Sequence, residues 1–157
     1  MKKVHWTDLL TSIAIAELVG VLSSLLAGNS SSFYQALPLP PLSPPGWVFP
    51  VVWTILYALM GVAAYLIYSA EADAERKRTA LTFYVVQLAV NFLWSIVFFR
   101  FQLFWLSVAV ILLLDVLVAL TILHFRPISK AAAYLLLPYL AWILFATYLN
   151  IGVAVLQ

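Results

Sequence analysis

The chain has no cysteine, two histidines, and only 9% charged residues among 157. Each scarcity excludes something. Without cysteine there is no disulfide, no thiolate nucleophile and no thiolate metal site. His5 and His124 are far apart in sequence, no H-x-x-x-H spacing occurs, and Met60 is the only mid-chain thioether. The usual zinc and haem-iron ligand sets are therefore missing, with tyrosines such as Tyr34 and Tyr57 the only remaining haem-type ligands. No metal or cofactor is expected. Five glycines form no phosphate-cradling motif, and no Ser-His-Asp or Walker pattern appears. A net charge of +2, scattered along the chain, argues against a nucleic-acid partner. A soluble domain carries about 25% charged residues. This chain lacks the polar groups to cover such a surface.

What it has instead is apolar length. The composition is 66% hydrophobic and the mean hydropathy is +1.07. A bilayer core of about 30 Å needs roughly 20 apolar residues in a helix. Five runs qualify, at about 8–27, 47–68, 80–100, 103–124 and 131–154. The first lacks a small-residue cleavage site and reads as a retained helix. The pattern predicts an all-α membrane protein, one domain over 1–157, folded as a compact bundle of five transmembrane helices. The connections fall at 28–46, at "SAEADAERKR" (69–78), at a tight turn around Gln102 and at "FRPISK" (125–130). Lys2, Lys3, Arg76, Lys77, Arg78, Arg126 and Lys130 share one side, and Arg100 alone lies on the other. By the positive-inside rule the N-terminus is expected in the cytoplasm, with the 28–46 loop and the C-terminus on the opposite side.

Spacing and depth then suggest which faces point inward. At 1.5 Å per residue, Trp53 lies roughly 10 Å from the loop end, Asn91 and Trp94 roughly 9–14 Å, and Trp142 and Ala146 roughly 12–18 Å. Three helices thus contribute to one layer. Stripes at spacing four run through Trp53, Tyr57, Gly61 and Tyr65, through Gln87, Asn91 and Ser95, and through Tyr134, Pro138, Trp142, Ala146 and Asn150. Trp94 and Phe98 flank the second stripe. Gln87, Asn91 and Asn150 are expected to face inward, because amides are costly against lipid; interhelical hydrogen bonding would satisfy them equally well. Trp6, Trp47 and Trp105 fall at helix ends and suit an interfacial belt, whereas Trp53 and Trp142 lie too deep for one. Ser12, Ala16, Gly20, Ser24 and Gly28 form a small-residue stripe that suits close helix packing, within the bundle or across a dimer. Glu17 and Asp115 lie near mid-membrane, where an acid costs about 2.5–3.5 kcal/mol. A carboxyl hydrogen-bonded to a neighbouring helix is the plainest expectation for both.

Five stretches carry a family resemblance: "FYQAL" (33–37), "PPGWVFPVVWTILYALMG" (44–61), "NFLWSIVFF" (91–99), "LLLDVLVA" (112–119) and "PYLAWILFATYLN" (138–150). In order and spacing they resemble the TspO family, the translocator proteins also called peripheral benzodiazepine receptors. The resemblance implies a five-helix bundle, a homodimer, and a pocket roofed by the loop between the first two spans. It implies binding of protoporphyrin IX and other flat hydrophobic molecules. By motif position the family's pocket residues fall on Phe33, Tyr34, Trp53, Asn91, Trp94, Trp142 and Ala146; Tyr57, Phe98 and Asn150 join them on the inward stripes. Phe33 stands where the family usually has tryptophan. The family's sterol motif, a tyrosine followed by a basic residue after the last span, is absent from "LNIGVAVLQ".

The loop holds most of the chain's eight prolines. Prolines restrict an extended chain, and an ordered roof avoids the entropy of ordering a floppy one over a ligand. The expected function is a receptor, sensor or carrier for tetrapyrroles, with Arg100 available to pair with an acidic substituent. The alternative is a light- and oxygen-dependent porphyrin-degrading enzyme using Trp53 and Trp142; otherwise no catalytic residues are expected. A third possibility is an interaction protein whose activity lies with its partners.

Overall fold

The computed structural model describes residues 3–28 and 30–157; Lys2, counted in the charge bias, lies outside them. Helix α1 spans Trp6–Ala27 and α2 Ser30–Ala36. Helix α3 spans Val48–Ser69, and α4 spans Ala74–Ser95 and continues through a π-helical turn at Ile96–Arg100. Helix α5 spans Phe104–Phe125, α6 Lys130–Leu135 and α7 Leu137–Leu156. No strand occurs among the described residues. Among the described residues five segments are long and apolar enough to cross a membrane: α1, α3, α4 with its π turn, α5, and α6 with α7.

The spans match the apolar runs closely, and the differences have local causes. The third begins at Ala74, earlier than hydropathy suggests. Glu75 in its first turn favours the positive end of the helix dipole, so the helix continues through charged residues into the water. The fifth begins at Lys130, where the Ser129 hydroxyl accepts the Ala132 N–H at 3.2 Å. It then breaks at Leu136, because Pro138 has no N–H to give the carbonyl four residues back. The break interrupts the expected stripe: Tyr134 is 58% exposed, on the outer surface. The roof is not extended throughout. Residues 30–36 make two helical turns, and the chain extends only from Leu37, which Pro38 keeps out of the α region. Gln102 takes φ 55° in the tight turn after the π segment.

Packing runs α1 on α3, α4 on α5 and α5 on α7, with α6 filling in against α3. Met60, Ile111, Leu114, Tyr139 and Ile143 are fully buried at the centre. The small residues serve the α1–α3 seam. Ala16 is fully buried, Gly61 lies against the backbone of Ile13, and Ser12 Oγ donates to Gly61 O at 2.7 Å. Leucines such as Leu10, Leu18 and Leu25 cover the outside, the reverse of a soluble protein and what a lipid solvent demands. The chain is an integral membrane protein.

Candidate functional site

Beneath the roof, α1, α3, α4 and α7 leave a cavity of about 440 Å3, within the size range of small-molecule sites. Each wall comes from a different helix. Phe49, Trp53 and Tyr57 project from α3 at spacing four. Asn91, Trp94, Phe98 and Phe99 come from α4 and its π turn, a helix variant that recurs at functional sites. Trp142 and Ala146 come from α7, and Glu17, Gly20 and Ser24 from α1.

The aromatic rings interlock. Tyr34 meets Phe49 edge-on at 4.7 Å, and Phe49 meets Trp142 at 5.7 Å. Trp53 lies 5.6 Å from Tyr57 and 6.2 Å from Tyr139. Such pairs add about 0.5–1.5 kcal/mol each beyond their burial, which gives the wall a defined shape. The roof is tied down at several points. Tyr34 Oη donates to Pro44 O at 2.7 Å, and Tyr148 Oη to Pro41 O at 2.5 Å. Gly152 of α7 leaves room for the Pro40 ring, since an added Cβ there would lie 2.5 Å from Pro40 Cγ. Burial raises the Tyr34 phenol above its ordinary pKa, and the nearby Ser43 side chain pulls the other way.

Polar groups behind the wall are hydrogen-bonded into a chain. Tyr57 Oη donates to Asn91 Oδ1 at 3.3 Å, Asn91 Nδ2 donates to Tyr139 Oη at 2.7 Å, and Tyr139 Oη donates to Gln87 Oε1 at 2.7 Å. Trp94 Nε1 donates to Asn150 Oδ1 at 2.9 Å, and Asn150 Nδ2 donates to Phe104 O at 3.3 Å. The inward amides therefore hold four helices, α3, α4, α5 and α7, in register. Among the described residues Trp142 Nε1 is buried with no hydrogen-bond partner. Asp115 Oδ2 lies 2.7 Å from Thr147 Oγ1, the expected link to a neighbouring helix.

Of the ten residues nominated from sequence, Tyr34, Trp53, Tyr57, Asn91, Trp94, Phe98, Trp142 and Ala146 line this one cavity. Phe33 and Asn150 do not. Phe33 packs behind the wall, stacked 6.1 Å from Phe104 and edge-on to Phe98 at 6.3 Å. Asn150 is consumed in orienting Trp94. Arg100 is exposed at the end of the π turn and does not reach the wall. Trp6, Trp47 and Trp105 all face outward at helix ends, as an interfacial belt requires. Three wall or support residues escape the sequence pattern. Phe49 was findable, one turn before Trp53 on the same face. Tyr139 was hidden by the break at Leu136, which shifts the inward face by a residue. Glu17, expected to bond a neighbouring helix, instead faces the cavity.

The sequence profile of the TspO/MBR family matches residues 12–156. The chain is 38% identical over 150 residues to the tryptophan-rich protein TspO of Archaeoglobus fulgidus, covering 95% of this chain and 96% of that one. It is 37% identical over 145 residues to the tryptophan-rich sensory protein of Cereibacter sphaeroides, covering 92% and 88%. It is 36% identical over 130 residues to the human translocator protein, covering 82% and 76%. This five-span membrane protein belongs to the TspO/MBR family.

Proposed function

We propose that this protein is a membrane receptor or sensor whose cavity binds flat hydrophobic molecules, tetrapyrroles of the protoporphyrin IX type among them. One observation carries the reading: Trp53 and Tyr57 from α3 and Trp142 from α7 line one roofed cavity. Aromatic faces bind a flat π system by stacking and shape, with no coordinated metal needed. A relative's name, tryptophan-rich sensory protein, agrees with a sensing role; another's, translocator protein, agrees with a carrier built on the same pocket. The N-terminus is assigned to the cytoplasm from the Lys/Arg bias, which places the roof on the far side. A homodimer is the proposed assembly, following the family resemblance.

The reading is tested by titrating detergent-solubilised protein with protoporphyrin IX and following tryptophan quenching. Trp53→Ala and Trp142→Ala should each weaken binding roughly threefold to tenfold, the loss of one stacking contact. Unchanged affinity in both variants would reject this cavity as the site. Light-dependent porphyrin breakdown would draw on the same two indoles. The wall supplies no histidine and one carboxyl, so no acid–base pair favours catalysis over binding.

A further inference from the structure

Glu17 is the feature of this cavity that stacking does not explain. It sits on α1 one turn from Gly20, whose Cα lies directly against the Tyr57 ring, and both residues line the cavity. No lysine, arginine or histidine shares that wall. Arg100, the one base at the roof end, is exposed and outside the cavity. Asp115, the other membrane-embedded acid, has Thr147 as its partner; among the described residues no hydrogen bond or ion pair engages Glu17. A carboxyl in this solvent is costly, so one retained without a protein partner marks a functional position. Its surroundings narrow the function. A carboxylate lining the same cavity as Tyr57 and Trp53, whose rings lie 5.6 Å apart and tilted by 32°, is the chemistry that recognises a cation: ring quadrupoles and a negative charge attract the same positive group. It would repel an acidic substituent placed at this end.

We propose that Glu17 and the Tyr57–Trp53 faces form a cation subsite, so that the preferred ligand is a flat aromatic molecule bearing a positively charged nitrogen. The inference rests on the reading of the cavity as a binding site for flat hydrophobic molecules and adds the polarity of one end. It makes Glu17 a specificity-determining residue and leaves the stacking wall to supply most of the affinity.

The test compares 9-aminoacridine, flat and cationic at neutral pH, with acridine, flat and neutral there. Binding is measured by titration calorimetry on protein in phosphatidylcholine nanodiscs, with empty nanodiscs subtracted. Wild type should favour 9-aminoacridine by fivefold or more. Glu17→Gln should reduce that preference to twofold or less, mainly by weakening 9-aminoacridine, and Glu17→Asp should keep part of it. Equal binding of the two probes by wild type overturns the proposal whatever the variants do, and so does a preference that survives in Glu17→Gln. Protoporphyrin IX dimethyl ester, which has no free carboxylate, is titrated in parallel. If it binds wild type and Glu17→Gln alike while no cation preference exists, the subsite falls and the cavity reading stands. If neither the ester nor either acridine binds, both fall.

Discussion

Gly61→Ala tests the seam on which the cavity's α1 wall hangs. A methyl at this position would land inside contact with Ile13 Cα, 2.8 Å from Ile13 N and 3.0 Å from Ser12 O. These are backbone atoms, so no rotamer change makes room. Favourable carbon separations are about 3.5–4.0 Å, which requires α1 to withdraw by about 1 Å. The withdrawal stretches the 2.7 Å bond from Ser12 Oγ to Gly61 O, worth about 0.6 kcal/mol in a membrane. Overpacking adds about 1–3 kcal/mol. The better helix propensity of alanine returns about 0.5–1 kcal/mol. The net loss is about 1–3 kcal/mol, readable as a shift of the unfolding midpoint on titration with sodium dodecyl sulfate. Two comparisons isolate the cause. Ser12→Ala removes only the hydrogen bond and should cost about 0.6 kcal/mol. Gly20→Ala places its methyl 2.5 Å from Tyr57 Cε2, but that ring can shift toward the cavity at the expense of its 3.3 Å bond to Asn91 Oδ1, so stability should fall by about 1 kcal/mol while ligand affinity falls. If Gly61→Ala unfolds at the wild-type midpoint, or Gly20→Ala is the more damaging change, the seam is misassigned.

Tyr139→Phe should destabilise by about 1–3 kcal/mol, because it strips Asn91 and Gln87 of a buried partner together; a melting curve unchanged from wild type would refute the network. Asn150→Leu should cost a similar amount by leaving the Trp94 N–H unpaired, and it should reduce ligand affinity less than Trp142→Ala does in the same quenching titration. Tyr34→Phe removes the bond to Pro44 O and should speed ligand dissociation several-fold, the effect of about 1 kcal/mol, in a stopped-flow chase. The same residue supplies a pH signature. Because burial raises the Tyr34 phenol above 10.0, its folded state holds the proton more tightly, so its contribution is intact below pH 10 and is lost as pH rises beyond that. Wild type should therefore lose more stability than Tyr34→Phe above pH 10, and parallel pH profiles for the two would rule out a buried phenol in the roof.

How much of this was legible beforehand depends on which physical signal each part leaves. Span number and approximate bounds follow from bilayer thickness, which imposes a length on every helix, so the apolar runs sufficed. Trp53 and Trp142 could be placed inward because an indole at that depth has no interface to occupy. Asn91 and Gln87 could be placed inward because hydrocarbon does not hydrogen-bond. Features decided by side-chain competition were not legible. Nothing in the string says that Asn150 spends its carbonyl on Trp94 and so stays off the wall, or that Phe33 turns toward Phe104. The short helix at 30–36 is hidden because serines carry no apolar period. The displaced face of Tyr139 depends on how the chain accommodates Pro138, and Glu17 could be located in depth but not in azimuth, since α1 is apolar nearly all round.

The anchorage of the roof on α7 has a practical side. Pro40 nests against Gly152 and Pro41 takes the Tyr148 hydroxyl, both within ten residues of Gln157. Cloning tags, truncations or reporter fusions attached at that tail would pull on the cover of the cavity, and altered ligand release in such a version would describe the attachment, not the native molecule. Labels for single-molecule or display work belong at the other terminus, away from these two anchors.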